Sequence, residues 1–151
     1  MEQFSKNSLK GECVYWITGQ SGAGKTTLAS ALQAEIGGIV LDGNKMRESI
    51  SLDLGFSKKD RETHNLRVAR LASVLSRQSS VIVSVIAPFE STRKKIDKLI
   101  NPLWIYVARH LPEDSKKPYE IPDKPHIVVN SDTQTTSEQV KMVTNYIKEI
   151  S

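Results

Sequence analysis

The sequence predicts an α/β fold in three layers, with a parallel sheet of about five strands flanked by helices. Three observations carry that prediction. Short apolar runs alternate with segments of helical periodicity along the chain, as in successive βαβ units. The most apolar run, VIVSVI at residues 81–86, reads as a central strand buried on both faces. A glycine-rich turn, GQSGAGKTT, lies between the first apolar run and the first helical stretch.

In chain order, Val14 to Thr18 reads as a buried strand. Gly24 to Ile36 reads as a helix with Leu28, Leu32 and Ile36 on one face, stopped by Gly37 and Gly38. Ile39 to Leu41 is a second, short strand. Ser57 to Ser76 is the longest predicted helix: Ser57 with Asp60 makes a capping box, and Val68, Leu71, Ala72 and Leu75 fall at i, i+3, i+4 and i+7. After the strand at Val81 to Ile86 come a short helix from Ser91 to Ile100 and strands around Trp104 to Val107 and Ile127 to Val129. The last helix carries Val140, Val143, Ile147 and Ile150, with Thr136 and Gln139 as its capping box. The stretch HLPEDSKKPYEIPDKP, rich in Pro and charge, is a surface loop long enough to be functional.

The chain has 151 residues, 38% hydrophobic and 25% charged, which fits one domain over residues 1–151. No apolar run is long enough to span a bilayer, and the first residues, MEQFSKNSLKGE, lack the apolar stretch of a signal peptide. The lone Cys13 has no partner for an internal disulfide, so a cytoplasmic protein with a buried structural thiol is expected. The net charge of +4 suits an anionic small molecule. It comes from scattered Lys and Arg, with no basic cluster of the kind that binds nucleic acid.

Within Gly19 to Thr27 the pattern G-x-x-x-x-G-K-[ST] is met by Gly19, Gly24, Lys25 and Thr26. Glycines there let successive backbone N–H groups turn inward around a phosphate, and the helix that follows points its positive end at the same anion. Lys25 can reach the β- and γ-phosphates of ATP, and the Thr26 hydroxyl can ligate Mg²⁺. The nucleotide-binding set is thus Gly19, Ser21, Gly22, Ala23, Gly24, Lys25, Thr26 and Thr27. This phosphate-binding loop (P-loop) narrows the fold to that of the P-loop kinases. A guanine reader would carry N/T-K-x-D late in the chain, whereas Asn130-Ser131-Asp132 lacks the Lys. A motor ATPase would end its central strand in an acidic residue, whereas this strand runs into Ser84 and Pro88.

Beyond the P-loop the chain resembles the adenylylsulfate kinase family. The family order is a P-loop, then L-D-G-D-x-x-R, G-F-S-x-x-D-R, I-S-P and P-Y-E-x-P. The matching residues are Leu41-Asp42-Gly43-Asn44-Lys45-Met46-Arg47, Gly55-Phe56-Ser57-Lys58-Lys59-Asp60-Arg61, Ile86-Ala87-Pro88 and Pro118-Tyr119-Glu120-Ile121-Pro122. The resemblance implies transfer of the γ-phosphate from MgATP to the ribose 3′-hydroxyl of adenylylsulfate. It assigns catalysis to Asp42 and Lys25, and acceptor binding to Asp42, Arg47, Phe56, Arg61, His64, Ile86, Ala87 and Pro88. Asp42, closing the second strand, would accept the hydroxyl's proton or hold Mg²⁺ through water; its alternative is a helix N-cap for a segment starting at Asn44. Arg47 and Arg61 would bind the substrate's anionic groups and Phe56 would stack on its base; the alternatives are solvated arginines and a core Phe. Arg93 would either help wall the acceptor site or sit as a helix-surface cation. Family members often dimerise, so a homodimer is the assembly the resemblance implies.

Four departures accompany the match. Asn44 stands for the second Asp of L-D-G-D, His64 in an ungapped alignment for the Asn after D-R-x-E (with Asn65 beside it), and Ala87 for the Ser of I-S-P. A lone His on a core-facing helix is commonly structural. The family's R-D-x-K-G-L-Y lid and F-T-G element are missing between Val107 and Tyr119, leaving Arg109, Lys116 and Lys117 as stand-ins. These changes leave two alternatives open: a kinase of another activated nucleotide such as cytidine diphosphoramidate, and a nucleotide-binding protein with little turnover. A polynucleotide kinase is disfavoured by the missing basic stripe.

Overall fold

A computed structural model describes residues 14–151; Cys13 and the first residues, on which the compartment and signal-peptide expectations rest, lie outside them. Five strands form one parallel sheet: β1 (Val14–Thr18), β2 (Ile39–Asp42), β3 (Val81–Ser84), β4 (Leu103–Ala108) and β5 (Ile127–Asn130). Their spatial order is β2-β3-β1-β4-β5. The chain therefore leaves β1 to one side, returns to β3 beside it, and then crosses β1 to β4. That reversal at β1 is the switch point outside which open α/β sheets bind ligands.

Five helices cover the sheet: α1 (Lys25–Ile36), α2 (Gly43–Arg47), α3 (Lys58–Leu75), α4 (Glu90–Leu99) and α5 (Thr136–Ile150). On one face Leu28 and Leu32 of α1 and Val140 and Val143 of α5 pack on Tyr15, Ile17, Ile82 and Ile105. On the other, Val68 and Ala72 of α3 and Ile96 of α4 pack on Trp16, Leu41, Val83 and Trp104. The alternation along β1 decides this, since successive side chains of a strand point to opposite faces. Both tryptophans are anchored by their polar edges: Trp16 Nε1 donates to the Val85 carbonyl at 2.9 Å and Trp104 Nε1 to Asp97 Oδ1 at 2.7 Å. Among the described residues no helix is long and apolar enough to cross a membrane.

The fold is the one the sequence predicts, with differences at the element ends. Gly24 caps α1 and does not begin it, α2 starts at Gly43 and not at Asn44, and α4 starts at Glu90 and not at Ser91. β3 stops at Ser84, so Val85 to Pro88 leave the sheet and line the cleft. The capping box of α5 is Thr135 with Glu138, not Thr136 with Gln139. Gln139 is buried and donates to Ser131 Oγ, which removes it from capping. Ser57 Oγ does accept from the Asp60 N–H of α3, but the Asp60 carboxylate turns back to the Gly55 N–H at 2.8 Å, two residues earlier than a capping box requires. Ile150, placed on the core stripe of the last helix, is exposed where that helix runs past the sheet.

Candidate active site

β1 delivers the glycine-rich loop at the carboxyl edge of the sheet. A Cβ on Gly19 would stand 2.8 Å from the Val107 carbonyl oxygen, so the loop passes this close to β4 only as glycine. Gly24 has φ 106°, the left-handed conformation that turns the loop into α1. No side chain caps the first turn of α1, which leaves its positive end to an anion. Lys25 is 9% exposed and its Nζ donates to the Gln20 carbonyl at 3.1 Å. Burial pulls its pKa down to about 8, with Asp42 opposing. A phosphate in the cradle restores the charge that burial disfavours.

Asp42 closes β2 and does two things at once. Its Oδ2 accepts from the Lys45 N–H at 3.2 Å, capping α2, so the N-cap reading holds. Its Oδ1 accepts from the Thr26 hydroxyl at 3.3 Å, so the same carboxylate faces the P-loop. A hydroxyl and a carboxylate are hard oxygen donors of the kind Mg²⁺ takes in one or two at a time, the rest coming from phosphate and water. Among the described residues no cluster of three or more His, Cys, Asp or Glu competes as a metal site.

The opposite wall is cationic and aromatic. Phe56 is 68% exposed, which excludes the core alternative. The guanidinium carbons of Arg47 and Arg61 lie 4.5 and 5.5 Å from its ring centroid. Arg47 donates to the Gly55 carbonyl and Arg61 to those of Phe56 and Lys116, so backbone fixes both forks. Burial, and next the Arg61 charge, lower the Arg47 pKa. Two guanidiniums held this close can together receive an anion. His64, 4% exposed, lies beneath them with Nδ1 2.7 Å from the Ser51 hydroxyl. Burial first, and then the Arg47 and Arg67 charges, pull its pKa down to about 4. The imidazole is therefore neutral, structural through Ser51, and still part of the cleft lining.

Residues 86–88 form the third wall. Ala87 has φ 48°, a left-handed conformation uncommon outside glycine, and is fully buried. Arg93 holds it there, with Nη1 donating to the Ala87 carbonyl at 2.7 Å and Nη2 to the Glu120 carbonyl at 2.6 Å. At 3% exposure Arg93 is not the surface cation allowed as its alternative. The P-Y-E segment completes the clamp. Glu120 N–H donates to the Pro88 carbonyl, and its carboxylate receives the Glu90 N–H. The Thr18 hydroxyl donates to the Ile86 carbonyl and receives the Tyr119 hydroxyl at 2.8 Å.

Residues 109–117, where the sequence lacks a lid, cross between the two sides of the cleft. Arg109 Nη1 donates to the Gly22 carbonyl of the P-loop at 2.9 Å, and the Lys116 carbonyl receives Arg61 at 3.1 Å. Of the expected stand-ins, Arg109 thus touches the P-loop through its side chain and Lys116 touches Arg61 through its backbone.

These walls enclose a cleft of about 450 Å³. It brings together Ser21, Gly22, Gly24, Lys25, Thr26, Thr27, Asp42, Arg47, Phe56, Arg61, His64, Ile86, Ala87 and Pro88. Two of the expected set do not line it: Gly19 is buried against β4, and Ala23 faces the core while its carbonyl accepts Ser131 Oγ. The lining also includes Asn65, expected only as the neighbour of His64, and Ser84 and Val85, which were not expected there. The signal for Ser84 was a hydroxyl ending the most apolar strand, read there only as a missing carboxylate.

A parallel sheet with its switch point at a glycine-rich loop, a buried lysine and a strand-end carboxylate facing that loop defines a P-loop kinase. The family model described as "Adenylylsulphate kinase" matches residues 11–115. An adenylyl-sulfate kinase of Deinococcus deserti is 33% identical over 163 aligned positions, covering 89% of this chain and 90% of that one. The structure of the Mycobacterium tuberculosis APS kinase CysC in complex with AMPPNP and APS superposes with TM-score 0.82 at 25% identity, over 92% of this chain and 98% of that one. A hexameric APS kinase from Thiobacillus denitrificans is 30% identical with TM-score 0.75, over 91% of this chain and 29% of its own. The chain belongs to the adenylylsulfate kinase family.

Proposed function

We propose that this chain transfers the γ-phosphate of ATP to the 3′-hydroxyl of adenylylsulfate. The observation that carries the proposal is the Thr26–Asp42 contact at 3.3 Å, which unites the phosphate cradle with a strand-end carboxylate. Phosphoryl transfer needs positioning and charge stabilisation more than covalent chemistry. The α1 amino end and Lys25 receive the donor's phosphates; Arg47 and Arg61 hold the acceptor's anionic groups while Phe56 takes its base. Asp42 stands between the halves, where it accepts the proton of the attacking hydroxyl. Ile86 to Pro88, clamped by Arg93 and Tyr119, close the side of the acceptor pocket and exclude water.

Mg²⁺ is proposed as the cofactor, held by Thr26 and by Asp42 through water. When bound it neutralises charge on the phosphates. A homodimer, as the family resemblance implies, is the proposed assembly.

The test is a coupled ADP-release assay with MgATP, offering adenylylsulfate, a cytidine-based acceptor, or none. Release that requires adenylylsulfate is the expected result. Release with the cytidine acceptor alone would move the substrate to another activated nucleotide, and silence from folded, ATP-binding protein would sink the activity.

A further inference from the structure

Among the described residues, two buried side-chain polar atoms have no hydrogen-bond partner: Asn65 Oδ1 and Ser84 Oγ. Both residues are less than 5% exposed, at 2% and 4%, and both line the same cleft. A buried polar atom left unpaired has lost its water without gaining a partner, which is costly. Two of them in one cleft, and none elsewhere among the described residues, mark the place where a ligand completes the bonding.

Ser84 has the more telling position. It ends β3 and is paired in register with Asp42 of β2 on one side and Ile17 of β1 on the other. Register partners in a sheet share a face, and adjacent strands lie about 4.8 Å apart. The Ser84 hydroxyl is therefore the immediate neighbour of the carboxylate assigned to the reacting hydroxyl. A carboxylate beside an unpaired hydroxyl, about one strand spacing apart, matches two vicinal hydroxyls of a sugar.

We propose that Ser84 is a specificity residue that receives the sugar hydroxyl adjacent to the one phosphorylated, so that the acceptor class is ribonucleotides and not 2′-deoxyribonucleotides. The inference rests on the function proposed above. Asp42 addresses the 3′-hydroxyl, Ser84 the 2′-hydroxyl. Asn65, one helical turn past Arg61 on α3, lines the cleft from the side of that helix. Each bond repairs a deficit that the empty protein carries, so its loss falls on the acceptor and not on folding.

The experiment compares wild type and Ser84→Ala, each with adenylylsulfate and with its 2′-deoxy form, following ADP release and thermal unfolding. A neutral hydrogen bond is modest in strength, so wild type is expected to prefer the ribo form by about two- to tenfold in kcat/KM. Ser84→Ala is expected to lose most of that preference through a drop with the ribo form alone. KM for ATP stays put, and the melting temperature does not fall because the hydroxyl removed was unpaired. The same preference in both proteins would overturn the inference while leaving the proposed function intact. A clear loss of melting temperature in Ser84→Ala would also overturn it, by showing the hydroxyl to be structural. No turnover of the ribo form by wild type would instead sink the proposed function, and this inference with it.

Discussion

The Thr26 hydroxyl donates to Asp42 Oδ1 across 3.3 Å, joining the first turn of α1 to the end of β2. The two residues are 16 positions apart in sequence and meet because α1 begins, and β2 ends, at the carboxyl edge of the sheet. Since the other oxygen of Asp42 caps α2, the carboxylate is held in place before any ligand arrives. Asp42→Asn keeps an oxygen for the cap and removes the charge and the proton acceptor. It is expected to lower kcat about 10²- to 10⁴-fold while ATP affinity stays within a few-fold. Asp42→Ala should add about 1 kcal/mol of lost stability from the missing cap. Single-turnover kinetics and thermal melts check both, and a wild-type kcat in Asp42→Asn would remove Asp42 from catalysis.

Lys25 gives a pH signature to nucleotide binding. Its pKa in the empty protein is about 8 because it is buried. ATP adds negative charge beside it and raises that value. Above about pH 8 the empty protein holds Lys25 neutral while the complex holds it charged, so binding must take up a proton. ATP affinity is then expected to fall by up to about tenfold per pH unit above 8. Calorimetry at pH 8.5 in two buffers of different ionisation enthalpy should report proton uptake, and Lys25→Met should abolish it.

The fold was legible because each element carried its own local signal. Five apolar runs, a P-loop and the Ser57 cap of α3 can be read without knowing what packs on what. What escaped depended on partners distant in sequence. Arg93 and Glu120, 27 positions apart, meet only when the P-Y-E segment folds onto residues 88–93, so nothing near Arg93 distinguishes a clamp from a surface cation. The capping box of α5 was misplaced by one residue because Thr135-Thr136 and Glu138-Gln139 satisfy the same pattern in two registers. Only the burial of Gln139 against Ser131 decides between them. Ser84 was passed over because pairing with Asp42 is a property of the sheet and not of either segment.

Phe56 offers a separation of binding from stability. An aromatic ring 68% exposed contributes little to folding, so Phe56→Ala should change stability by no more than about 0.5 kcal/mol. If the ring carries the acceptor's base, its loss costs about 1–3 kcal/mol of stacking, or roughly a tenfold or greater rise in acceptor KM. KM for ATP should not move. Equal rises in both KM values would show that Phe56 supports the cleft as a whole and is no base platform.

His64 makes a prediction about acid stability in which the sign can be worked through. Its folded pKa is about 4, below the ordinary 6.5, because burial and the Arg47 and Arg67 charges disfavour the imidazolium. The groups around it are those two arginines on α2 and α3 and the Ser51 hydroxyl, and none of them attracts a proton to the ring. Between pH 6.5 and about 4 the unfolded chain binds a proton that the folded protein refuses, so stability falls as pH falls through that window. The full displacement corresponds to on the order of 3 kcal/mol. His64→Gln, with an amide in place of the imidazole, cannot titrate and should flatten this part of the profile. Urea melts at pH 7, 6, 5 and 4.5 on both proteins would check it. Parallel curves for the two would assign the acid sensitivity to carboxylates elsewhere, whereas a gap that closes toward low pH assigns it to this ring.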